Sequence, residues 1–152
     1  MKNLMRLAFG SVLFMALTAC HRDVQFSKFE YSSHGAPWEV VYALKIDFGK
    51  RILEMNKAGN TEDFVGEKCK TKIIALNPEQ IAKLQCALND AGVVDWKDRY
   101  DNFLGICDGT RWEACYVLAD GKSRSIAGDN NWPDGIKILS TAIKSIGVEF
   151  IE

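Results

Sequence analysis

The segment Trp38-Glu39-Val40-Val41-Tyr42-Ala43-Leu44-Lys45-Ile46-Asp47-Phe48 decides how the rest of this chain is read. Trp38, Val40, Tyr42, Leu44, Ile46 and Phe48 occupy every second position, with Glu39, Lys45 and Asp47 between them. A period of two belongs to a strand that buries one face and shows the other to water. Gly49-Lys50 turns the chain, and Arg51 to Met55 is expected to be the hairpin partner. Upstream, Val24, Phe26, Phe29 and Tyr31 alternate with a switch of parity, which predicts a strand with a β-bulge. Ser32 to Pro37, rich in Ser, Gly and Pro, is expected to be a turn or loop.

Downstream, Asn56 to Glu67 is polar and carries Gly59 and Gly66, so a long loop is expected, followed by a strand over Cys69 to Leu76. Asn77-Pro78-Glu79-Gln80 is a helix start: Asn caps, Pro suits the first turn, and Gln three residues on completes a capping box. Ile81, Leu84, Ala87, Leu88 and Ala91 form one apolar stripe at helical spacing, and Gly92 stops it. Cys86 lies roughly opposite that stripe. Val93 to Phe103 carries Trp96 and Tyr100 among Asp95, Asp98 and Asp101. Trp112, Ala114, Tyr116 and Leu118 alternate again. Asp120-Gly121 is a two-residue hairpin turn, and Lys122 to Ala127 returns. After Gly128 to Asn131, Trp132-Pro133-Asp134 opens a second helix with the stripe Ile136, Leu139, Ala142, Ile143 and Ile146, stopped at Gly147. Strand runs each followed by a helix give an α+β domain, with an antiparallel sheet of about five to six strands and both helices packed on one face.

The two helices rhyme at a fixed offset. Pro78 matches Pro133, Leu84 matches Leu139, Leu88 matches Ile143 and Gly92 matches Gly147. The hairpins before them rhyme too, with Tyr42-Ala43-Leu44 against Tyr116-Val117-Leu118. Two readings fit: a duplicated hairpin-plus-helix unit, or the general likeness of amphipathic helices with Pro starts and Gly stops.

The N-terminus has the three parts of a secretory signal. Lys2 and Arg6 give a positive start, and Leu7 to Leu17 an apolar run too short to span a bilayer. Leu17-Thr18-Ala19-Cys20 closes it. That tetrapeptide resembles the lipobox of bacterial lipoproteins. The resemblance implies cleavage before Cys20 and a diacylglycerol on its sulfur, with residues 1–19 as signal peptide and 20–152 as one α+β domain on a short tether. His21, not Asp, follows the cysteine, which in such lipoproteins favours the outer membrane, facing the periplasm. The signal holds two of the 19 basic residues and none of the 20 acidic ones, so the mature chain is slightly acidic. Without a basic patch, nucleic acid is excluded as a partner.

With Cys20 consumed by lipid, Cys69, Cys86, Cys107 and Cys115 remain as an even set in an oxidising compartment. Three pairings are open. The shortest loops favour Cys69 with Cys86 and Cys107 with Cys115. No C-x-x-C pair supports zinc, and Pro133 breaks any EF-hand pattern over Asp129, Asn131 and Asp134, so no metal and no cofactor is expected.

Asp108-Gly109-Thr110-x-Trp112, Asp120-Gly121 and Gly128-x-Asn130-x-x-Pro133 together resemble a poorly characterised domain of small bacterial secreted proteins and lipoproteins. The resemblance covers about residues 93–146 and implies a fold but no activity. His34 is the one histidine away from the anchor. It is expected in a loop, and no G-x-S-x-G accompanies it, so a catalytic residue is not assigned. Trp112, Asn130, Asn131 and Trp132 are the candidate binding surface, because Trp anchors interfaces and loops carry function. The expected function is therefore a non-enzymatic, membrane-anchored envelope lipoprotein with a protein or cell-wall partner. The alternatives are a periplasmic inhibitor or immunity protein, and a glycan-acting hydrolase using Asp or Glu beside Trp96 and Tyr100.

Overall fold

The computed structural model describes residues 24–35, 40–57, 70–102 and 109–150. Seven strands and two helices follow in the order β1 (Phe26–His34), β2 (Val40–Asp47), β3 (Ile52–Lys57), β4 (Lys70–Ala75), α1 (Pro78–Asp90), β5 (Arg99–Tyr100), β6 (Arg111–Leu118), β7 (Ser123–Asp129) and α2 (Ile136–Ser145). The sheet runs β4-β3-β2-β1-β6-β7-β5. All neighbours are antiparallel except β5 and β7, which are parallel. The fold is thus α+β, with a mixed sheet. It exceeds the expected strand count through β5, two residues too short to show a period in sequence.

The strand that alternates most clearly behaves as its pattern dictates. Tyr42, Leu44 and Ile46 are buried, and β2 pairs with β1 on one side and β3 on the other. The expected bulge is present, as a register shift between Phe26 and Lys28 against β6; it puts Phe26 and Phe29 both into the core. β1 runs further than expected, through Ser33 and His34, because β6 supplies partners for both. Ser33 is buried among aromatic rings, so the polar run Ser32 to His34 is strand and not loop. The strand expected over 69–76 is β4, while residues 58–69 lie outside the described residues.

The capping box of α1 is complete. The Asn77 side chain accepts from the Gln80 backbone at 2.8 Å, and the Gln80 side chain accepts from the Asn77 backbone at 3.0 Å. α2 begins later than expected, at Ile136, and has no side-chain cap. The β6–β7 turn is one residue longer than a two-residue hairpin. Leu118 N–H meets the Lys122 carbonyl at 2.8 Å, and Gly121 adopts a φ of 87°. Three-residue loops of this kind need a left-handed last residue, which glycine supplies without strain.

Both helices cover the same face, where Leu84, Leu88, Leu139 and Ile143 meet Phe29, Tyr31, Leu44, Leu53, Trp112 and Ile126 in one core. This shared face removes the duplication reading. β2 and β6 both flank β1 and run parallel to each other, but β3 lies on the far side of β2 and β7 on the opposite far side, beyond β6. Superposing one hairpin on the other with strand directions kept would turn its buried face outward. The two hairpins are therefore of opposite hand relative to the helices, and one rigid hairpin-plus-helix unit cannot generate both.

Candidate binding face

The four residues expected at a binding surface meet at one corner of the fold, and only Trp112 among them is buried. Trp112 is fully buried. Its indole N–H donates to the Asn131 carbonyl at 2.8 Å, and its ring stacks on Tyr31 and meets Trp96 edge-on. A Cβ on Gly128 would come within 2.5 Å of that indole, so the ring lies flat against the β7 backbone. Asn130 takes a φ of 47°, and its side-chain oxygen accepts from the Thr110 backbone at 2.7 Å. The exposed Asn131 amide reaches the Asp101 carbonyl at 3.3 Å. Trp132 is half-buried, with its indole N–H 3.3 Å from the Tyr31 hydroxyl. Trp112 is excluded as a surface anchor because alternation turns it inward together with Ala114 and Tyr116. The loop chemistry of Asn130 and Asn131 closes the end of the second hairpin over it.

The carboxylates beside the second hairpin are held by arginines. Asp98 pairs with Arg124 at 2.7 Å, Asp101 with Arg99, and Asp129 with Arg111 at 2.9 Å and Arg99 at 3.6 Å. The hydrogen bond it donates to Asp101 raises the Arg99 guanidinium above its usual range, and the one donated to Asp98 does the same for Arg124. Trp96 is buried, with its N–H on the Ala91 carbonyl at 2.9 Å, so it offers no wall on which a sugar could stack. His34 is the last residue of β1, with Nε2 3.2 Å from the Ser32 hydroxyl.

What the sequence reading passed over is the other face of the sheet. The positions between the apolar ones carry Glu30, Ser32, Ala43, Lys45, Glu113, Cys115, Ser125 and Ala127, and no described element covers them. Ser32 lies opposite Ala43 on β2 and Glu113 on β6, and Cys115 opposite Glu30 and Ser125. Because Ser32, Ala43, Cys115, Ser125 and Ala127 are all small, the centre of this face is hollow. The concavity measures about 380 Å³, floored by these residues and rimmed by Glu30, Lys45, Asp98 and Glu113. Glu30 and Lys45 face each other at 3.7 Å across the rim. A smaller hollow of about 200 Å³ shares Glu113 and Ala127 with the first and is bounded by Arg99, Arg111 and Asp129. No run within one strand marks these residues in the sequence, because β1, β2 and β6 contribute one each and only β7, with Ser125 and Ala127, contributes two.

Cysteine placement corrects one expectation. Cys115 is a free thiol on this face, with its sulfur 2.9 Å from the Ser125 hydroxyl, so the expected bridge to Cys107 is not made. Cys115 sits four residues into β6, about 14 Å along the strand from its start. A cysteine preceding the strand would have to fold back over the sheet to reach it. Cys86 is disulfide-bonded, and its partner lies outside the described residues, as do Cys20, Cys69 and Cys107.

No protein-family model matches this chain, and no curated protein matches it.

Proposed function

We propose that this protein is a membrane-anchored envelope lipoprotein that works as a non-enzymatic binding module, with the sheet face that no described element covers as the contact surface. The observation that carries this reading is the contrast between one sheet face filled by helices and the other hollow, small-residued and rimmed by charge. Small residues on a strand contribute little packing of their own, and here they leave room for a partner's side chains. Asn56 continues the same face onto β3, where it lies between Ala43 and Thr71. The bonded state of Cys86 fits an oxidising compartment such as the periplasm, where disulfides persist.

The anchor and the surface have separate tests. Cys20→Ser is expected to release the protein from membranes; unchanged partitioning into detergent would overturn the anchor. For the surface, a photo-crosslinking residue at Ala43 is compared in intact cells with one at Lys137, on the outer side of α2. Adducts are expected from position 43 and absent from 137. Adducts from 137 alone would move the contact to the helices.

A further inference from the structure

The first described residues are held by α1 in an unusual way. The Gln85 side-chain amide donates to the Phe26 carbonyl at 2.7 Å and accepts from the Phe26 N–H at 3.0 Å. One turn further along the helix, the Asn89 amide does the same with Val24, at 2.9 Å and 3.2 Å. Two side-chain amides thus replace the neighbouring strand that an extended chain would otherwise require. The held segment lies between the two hairpin turns: Phe48 N–H donates to the Ser27 carbonyl at 3.1 Å, and Ala119 N–H to the Gln25 carbonyl at 2.8 Å. Chain direction at Val24 is therefore fixed on three sides.

Cys20 is four residues before Val24. Four residues reach at most about 14 Å. We propose that the end of the sheet formed by the 48–51 and 119–122 turns rests on the lipid surface, with the Asn130-Asn131 end directed away from it. The proposal rests on the lipidation of Cys20. A free domain on so short a lead could still tumble about a flexible joint, but the Gln85 and Asn89 clamp removes that joint at its domain end. The exposed side chains of the two turns suit phosphate headgroups. Lys50, Arg51 and Lys122 project there, while Asp47 and Asp120 are each within reach of one of those lysines, at 4.0 Å and 2.8 Å. In this arrangement the sheet face that carries the hollow stands upright beside the membrane.

The experiment uses the full lipidated chain in vesicles of phosphatidylethanolamine and phosphatidylglycerol containing spin-labelled headgroups. A fluorescent amino acid replaces either Lys50 or Asn131. The nine residues of β1 put the two ends about 27 Å apart, so quenching is expected to be at least fivefold stronger at position 50 than at 131. A flexible insertion of about 12 residues before Val24, long enough to span several nanometres when extended, is expected to reduce that ratio below twofold. Equal quenching at the two positions would overturn the proposed orientation while the lipid mass on Cys20 stands, and a ratio that survives the insertion would overturn the short lead as what sets it. An unmodified Cys20 by mass spectrometry would overturn the anchor reading, and the orientation with it.

Discussion

On β6, Trp112, Ala114 and Tyr116 point toward the helices, while Arg111, Glu113, Cys115 and Val117 point away. The same strand therefore serves two surfaces of opposite character, and β1, β2 and β7 repeat the division. On the covered face the rings of Tyr31, Tyr42, Trp112 and Phe150 touch one another, with centroids 4.7 to 6.3 Å apart. Tyr42 shows how dry that side is: burial lifts its phenol well above the usual range, and its hydroxyl donates to the Glu149 carbonyl at 2.7 Å. On the open face the ion pairs are solvent-washed, and Glu30 and Lys45 are each about half exposed. Such pairs contribute only about 0–1 kcal/mol. The comparison teaches that the packed core and the open face draw on different residues of the same strands, so the two can be altered separately.

The largest expected effect lies on the covered side. Trp112→Ala removes a fully buried ring and is expected to cost about 3–5 kcal/mol, read as a lowered midpoint in urea unfolding. Gly128→Ala attacks the same ring from beneath. Its added methyl falls within 2.5 Å of the indole, and overpacking of this kind costs about 1–3 kcal/mol. A Gly128→Ala protein as stable as the parent would show that the ring has room to shift. Asn77→Ala, at the edge of the covered layer, removes the helix cap at a cost of about 0.5–2 kcal/mol. On the open face, Ser125→Ala is expected to change stability by less than about 0.5 kcal/mol. A large loss there would mean that the hollow is structural and would erase the contrast between the faces.

The smallest effect is electrostatic. The Lys122 hydrogen bond holds the Asp120 carboxyl below its usual range. A carboxyl whose folded pKa is depressed adds stability above its unfolded value, about 3.9, and loses it as pH falls through the folded value. Asp120→Asn should therefore differ from the parent slightly at neutral pH and converge with it in strong acid. Because Asp120 is fully exposed, the gap is expected to be the narrowest of the set. A gap that widened in acid would reverse the sign.

Much of the covered face was legible. The alternation from Tyr42 to Phe48 and the stripe Leu84, Leu88, Leu139 and Ile143 report burial, which is what periodicity measures, and the capping box at Asn77 and Gln80 is a local hydrogen-bond pattern read directly from residue type and spacing. Trp112 was legible as well, since it leads an alternating set; reading it as an interface anchor set a residue-type preference above its own pattern. The open face was harder to read. Ser32, Ala43, Cys115, Ser125 and Ala127 come from four strands, and only the registers that join β1, β2, β6 and β7 bring them together. Nothing local marks them as a group. β5 escaped because two residues carry no period, and His34 because its strand is extended by a partner that lies about 80 residues later in the chain.

That last pairing also sets an order of events. β1 is first in sequence and central in space, bonded to residues 40–47 on one side and 111–118 on the other. Contacts so distant along the chain close slowly. When the chain emerges from its N-terminus onward, β1 can zip to β2 at once, but its other edge stays open until β6 arrives. For most of that interval the middle of the finished sheet is its border. Until then Phe29 and Tyr31, at the heart of the finished core, lack their cross-strand neighbours Tyr116 and Ala114.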